Sequence, residues 1–200
     1  MTPLEFADRA SWEAWLEAHH ATGTEAWLRI GKRRTALALV RIEEALDAAL
    51  CFGWIDGQRK ALDGDSFLQR YSPRRPASAW SQVNRAKIEV LTAAGRMRPA
   101  GLARVAEAKA DGRWAAAYEP QSTAEVPPEL TAALDERAAA ALGALPRSER
   151  YALMLPLLQA RTQAARERVA ARIAASLRAG SLGAASLGAE SPGAGRNPKG

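Results

Sequence analysis

Between residues 50 and 85 the chain leaves the Ala-rich helical pattern of its flanks and becomes dense in Trp, Gly, Pro and Arg. The run reads Leu50-Cys-Phe-Gly-Trp-Ile-Asp-Gly-Gln-Arg59, then a turn signal at Asp63-Gly64, then Tyr71-Ser-Pro-Arg-Arg-Pro76 and Trp80-Ser-Gln-Val-Asn-Arg85. Gly and Pro are poor interior residues for regular elements. A stretch this rich in them is costly to keep as plain scaffold, and we read it as the functional site. Residues 54–60 and 66–71 predict two strands joined at Asp63-Gly64, the strongest short hairpin signal in the chain.

The flanks set the rest of the fold. Ser11 is placed to cap a first helix with Trp12, Trp15, Leu16 and His19 on one side. Residues 25–32 alternate as a short strand, with Leu28 and Ile30 on one face and Trp27 and Arg29 on the other. The basic run 32–34 then reads as a solvated connection. Residues 41–50 carry a helical stripe stopped by Gly53. After Pro76, Ser78 or Ser81 is expected to cap a helix that turns Val83, Val90, Leu91 and Ala94 inward and ends at Gly95. Pro99 opens a helix over 99–110. Pro127-Pro128 introduce one over 129–142, and a last pair spans 146–160 and 162–178, with Pro156 expected to kink or break the first. The reading is α+β: mostly helical, a small antiparallel sheet packed against helices, and a helical C-terminal half.

Charge and rare residues narrow the function. The formal net charge is +6, and residues 51–118 hold 12 Lys/Arg against 6 Asp/Glu while the flanks balance. A basic middle third favours an anionic partner. The single Cys excludes an internal disulfide, and Cys51 with the adjacent pair His19-His20 has no zinc-site spacing. Cys51 as a nucleophile lacks an evident base, and the end of its helix raises a thiol pKa. Neither a metal nor a cofactor is expected. No signal-like segment or run of 18 apolar residues occurs, so a cytoplasmic chain without membrane insertion is expected.

Strand alternation places Trp54, Asp56 and Gln58 on one face and Ile55 and Arg59 on the other. In the functional reading Asp56 accepts hydrogen bonds from a ligand, Arg59, Arg70 and Arg74 hold its anionic group, and Trp54, Trp80, Asn84 and Arg85 complete the site. The structural alternative makes Asp56 a buried acid bridged to Arg74 or Arg85, with the Trp residues as core.

Leu50-Cys-Phe-Gly-Trp-Ile-Asp-Gly57, Ser72-Pro-Arg-Arg-Pro76, Trp80-Ser81, Asn84-Arg85 and Gly95-Arg-Met97 resemble the bacterial YdeI/OmpD-associated, or bacteriocin-protection, family. The resemblance runs from about residue 11 to 177. It implies a role in resistance to bacteriocins or cationic antimicrobial peptides and no defined reaction. The domain is drawn over 1–178, with a sheet-containing part at 1–118 and C-terminal helices at 127–178. A Gly/Ala/Ser repeat over 179–200 reads as a disordered tail. The expected function is non-catalytic binding or stress resistance, through a small anionic ligand or the acidic group of a protein partner. A nucleic-acid-binding module is the alternative.

Overall fold

The computed structural model describes residues 2–180; from residue 181 on, the tail expected to be disordered lies outside the described residues. The chain divides into two compact units, Met1–Tyr118 and Glu119–Gly200. The first holds helix α1 (Arg9–His19), strand β1 (Ala26–Gly31), α2 (Ile42–Cys51), β2 (Trp54–Ala61), β3 (Ser66–Pro73), α3 (Gln82–Ala93) and α4 (Pro99–Ala110). The second holds α5 (Pro128–Ala133), α6 (Glu136–Ala144), α7 (Arg147–Leu158) and α8 (Gln163–Ala179). This is an α+β chain with a helical C-terminal half.

In the first unit the strands form an antiparallel sheet in the order β1-β3-β2. Leu28, Ile30, Tyr71 and Trp54 bury one face in a core shared with Trp12, Leu16 and the Ala-rich side of α2. The Trp12 indole donates to the carbonyl of Ala45 at 3.1 Å, which ties α1 to α2. Asp63 organises the hairpin turn by accepting from the amides of Asp65 and Ser66. Asp8, rather than Ser11, caps α1: its carboxylate accepts from both the amide and the hydroxyl of Ser11. An ionised oxygen one turn earlier is the better acceptor, so Ser11 becomes a donor inside the first turn.

Helix α3 is capped by Ser81 and buries Leu91 as expected, but the rest of the face expected to turn inward does not. Ile88 and Leu91 are buried, while Val83 and Val90 are exposed. Both pairs fit a helical period, and the Lys87–Asp47 ion pair at 2.7 Å fixes the rotation that buries Ile88 against the core. Helix α4 lies so close to α2 that a Cβ on Gly101 would fall 2.2 Å from the Cys51 carbonyl oxygen. That carbonyl also accepts from the amide of Arg98.

The second unit packs Leu130, Leu142, Leu153, Leu157, Ile173 and Leu177 into its own core. The helix expected over 129–142 is two helices. Leu134 is extended, and Asp135 caps α6 by accepting from the amide of Ala138. Pro156 neither breaks nor ends α7 at its own position; it sits in the last turn, and the helix runs on to Leu158. It still removes the amide that would reach the Ala152 carbonyl, but only Leu157 and Leu158 follow it in the helix, so little of the helix depends on that bond.

Gly101→Ala is expected to destabilise the protein by about 3 kcal/mol by overpacking, against the roughly 1 kcal/mol that Ala ordinarily gains over Gly within a helix. Urea denaturation checks it.

Candidate functional site

The pairing of β2 with β3 slips by one residue. Asp56 faces Tyr71, but Arg59 faces Gln69, so Gly57 and Gln58 together oppose Arg70. Beyond this bulge the side-chain alternation inverts. Arg59 therefore shares the face of Asp56 and Trp54, a correction to the simple alternation that separated them. The buried carboxamide of Gln69 holds the bulge: its Nε2 donates to the Gly57 carbonyl at 2.9 Å, and its Oε1 accepts from Arg59 Nε at 3.1 Å. Gln69 was not singled out from sequence. Its signal is a polar residue where the alternation of β3, between Phe67 and Tyr71, asks for an apolar one.

The eight residues nominated from sequence fall into separate groups. Trp54 is buried, its indole donating to the His20 carbonyl. Asp56 makes no ion pair with a described residue, so neither Arg74 nor Arg85 bridges it. Partial burial raises its carboxyl pKa even though much of the residue surface stays open, with the Arg74 and Arg59 charges opposing the shift. Arg70 points to the opposite face and pairs with Glu25 at 2.8 Å.

Arg74 is buried with its guanidinium 3.7 Å from the centre of the Trp80 ring, donating to the Ala79 carbonyl at 2.9 Å. Burial pushes its pKa down to about 10. Trp80 packs edge-on against Trp114 at 5.0 Å. Asn84 receives the Ser81 cap at its amide, and Arg85 reaches the Trp114 carbonyl and Glu89. Two polar atoms in this region, the Tyr71 hydroxyl and Trp80 Nε1, are buried without a protein partner. Both Trp54 and Trp80 are too deeply buried to stack on a nucleobase.

Arg59 also lines a cleft of about 510 Å³ in the first unit. Its walls include Lys32 and Arg33 from the segment after β1, Arg41 and Glu43 at the start of α2, and Phe67 of β3. The basic run expected to be a solvated connection thus contributes to a concave surface. Lys32 is engaged, its ammonium donating to the carbonyls of Asp63 and Gly64. Arg33, Arg41 and Arg59 form no ion pair with any described residue. Arg41 also stands at the extended N-cap position of α2 with no side-chain capping bond. The first amides of an α-helix have no intrahelical acceptor, and the dipole there favours negative charge. Guanidinium groups and helix-start amides on one wall make a surface suited to an oxyanion.

Two substitutions test this geometry. Gln69→Leu leaves the Gly57 carbonyl and Arg59 without their partner and is expected to cost about 1–3 kcal/mol in denaturation. Asp56 has a folded-state pKa above its unfolded value. Its protonated form adds stability fully below the ordinary Asp range, and that stability is lost as pH rises through the raised value. Asp56→Asn is therefore expected to raise the melting temperature at pH 7 and to steepen its fall between pH 7 and 4, because Asp56 opposes the acids whose pKa values are lowered, such as Glu25 and Asp63.

Two family models match the chain. Residues 4–104 match a domain of unknown function, DUF8412, and residues 123–180 match the family described as bacteriocin-protection, YdeI or OmpD-associated. The resemblance drawn from sequence holds in the second unit, while the Leu50-to-Gly57 motif lies in the span of the first model. No curated protein and no solved structure matches the chain. Residues 123–180 are similar to the bacteriocin-protection, YdeI or OmpD-associated family, and the chain belongs to the DUF8412 family through residues 4–104, half its length.

Proposed function

We propose that the first unit is a non-catalytic binding module for a small ligand bearing an oxyanion, seated in the cleft walled by Arg33, Arg41 and Arg59. The observation that carries this reading is the convergence of three guanidinium groups, none in an ion pair among the described residues, with the uncapped start of α2. Elsewhere in this unit the half-buried arginines are paired, Arg29 with Glu5 and Asp63, Arg70 with Glu25 and Arg96 with Glu13, whereas Arg33, Arg41 and Arg59 stand more exposed along the cleft. A volume of about 510 Å³ is of the size that holds a small molecule.

The non-catalytic part of the reading is supported by Cys51. It is buried at the end of α2, and desolvation raises its thiol pKa, so it is held as the unreactive thiol. We place the protein in the cytoplasm, where binding of this anion would serve the protective role named by the family of the second unit. The carboxylate of a protein partner offers the same oxyanion chemistry as a free ligand.

Calorimetric titration with inorganic phosphate at low salt tests the site. Arg59→Ala and Arg41→Ala are each expected to weaken binding by about tenfold, equivalent to about 1.4 kcal/mol. Arg70→Ala, on the other face of the sheet, is expected to leave it unchanged. Absence of phosphate binding, or equal losses in all three variants, contradicts the proposal.

A further inference from the structure

We infer that the ligand of this cleft is an amphipathic anion, a carboxylate or phosphate head carried on an apolar body. The inference rests on the anion-binding reading above and deepens it. The same cleft that gathers the guanidinium groups is lined by Leu37, Leu39, Ile42 and Phe67. None of these four is buried, and Leu37 is 39% exposed, among the most exposed large apolar residues described. Leucine, isoleucine and phenylalanine side chains are ordinarily the ones a fold puts inside. Here Ile42 and Phe67 pack one side against the core and still reach the concave wall, while Leu37 and Leu39 lie on that wall outside the core cluster.

The cationic and apolar parts meet at a defined point. The Arg59 guanidinium lies over the Phe67 ring, 4.4 Å from its centre, while its Nε is committed to Gln69. The remaining nitrogens of Arg59 thus stand at the edge of an aromatic surface. An oxyanion held between Arg59, Arg41 and the start of α2 has the Phe67 ring and the Leu37 and Leu39 side chains beside it. An inorganic anion would leave that apolar wall in water and fill only part of the volume. A ligand with an apolar body covers it, and burial of apolar surface adds to the affinity in proportion to the area removed from water. Glu43 also lines the cleft, and its negative charge favours a head of low charge, such as a carboxylate, over a doubly charged phosphate.

The test compares ligands that share a head and differ in body, by calorimetry on the full chain. Acetate is paired with octanoate and inorganic phosphate with phenyl phosphate; 1-octanol serves as the uncharged body. Octanoate and phenyl phosphate are expected to bind at least about tenfold more tightly than acetate and phosphate, with a more negative heat-capacity change. Leu37→Ser, at an exposed position, is expected to reduce octanoate affinity several-fold while phosphate affinity and melting temperature stay as in the parent. Equal affinity for acetate and octanoate, or for octanoate and octanol, overturns this inference and leaves the anion site to be judged by phosphate alone. Failure of every anion to bind overturns the anion-binding reading itself.

Discussion

The carboxamide of Gln69 joins two groups that the regular geometry of a strand would keep apart. One of its ends satisfies the carbonyl of Gly57 in the bulge, and the other accepts from the guanidinium of Arg59. A bulge carbonyl turned inward without a donor would cost about 1–3 kcal/mol, and the buried amide removes that cost. The slip in register then turns Arg59 to the face of the sheet that carries Phe67 and Tyr71. With a regular strand Arg59 would lie on the side of Arg70 and Glu25, and the cleft would lose the cation nearest its aromatic wall.

The cations of the first unit divide by how their charge is answered. Many surface arginines and lysines, such as Arg29, Arg70, Lys87 and Arg96, have carboxylate partners, and pairs at this exposure contribute only about 0–1 kcal/mol each. Arg74 is answered differently, by the face of Trp80 and the Ala79 carbonyl, and its lowered pKa records the desolvation it bears. Arg113, also buried, pairs with Asp111 and donates to the Ser78 carbonyl. Together these two side chains hold the backbone between the Pro73–Pro76 segment and Trp80, a structural role. Arg33, Arg41 and Arg59 have neither a carboxylate partner nor deep burial, and they share one concave wall. That contrast separates the cleft from the buried arginines of the central motif.

Much of the fold was legible from local chemistry. Proline at the first position of α4 and glycines after α2, α3 and α4 with φ between +65° and +79° suit backbone conformations that other residues adopt less readily, and Asp63 builds the hairpin turn through its side chain. What failed was decided by tertiary contacts. Leu91 was rightly placed inside, but whether Ile88 or the pair Val83 and Val90 joins it rests on packing against α2, which no window of α3 contains. The break at Leu134 follows from Asp135 capping α6 and pairing with Arg178, a residue 43 positions away. The site was legible in part: Arg59 was named, on the wrong face because a bulge adds one residue that alternation does not count. The basic run at 32–34 is exposed, as a solvated connection should be, but nothing in its own sequence reveals that the start of α2 and part of β2 line the same cleft.

The most direct measurement is a ¹⁵N-resolved NMR titration of the full chain with phenyl phosphate, following backbone amides and arginine Nε–H signals together. The account predicts saturable shifts at the amides of Ile42, Glu43 and Glu44 and at Arg59 Nε, with Arg70 and Arg74 unmoved. Shifts centred on Arg74 and Trp80, or shifts spread over all arginines without saturation, would contradict it.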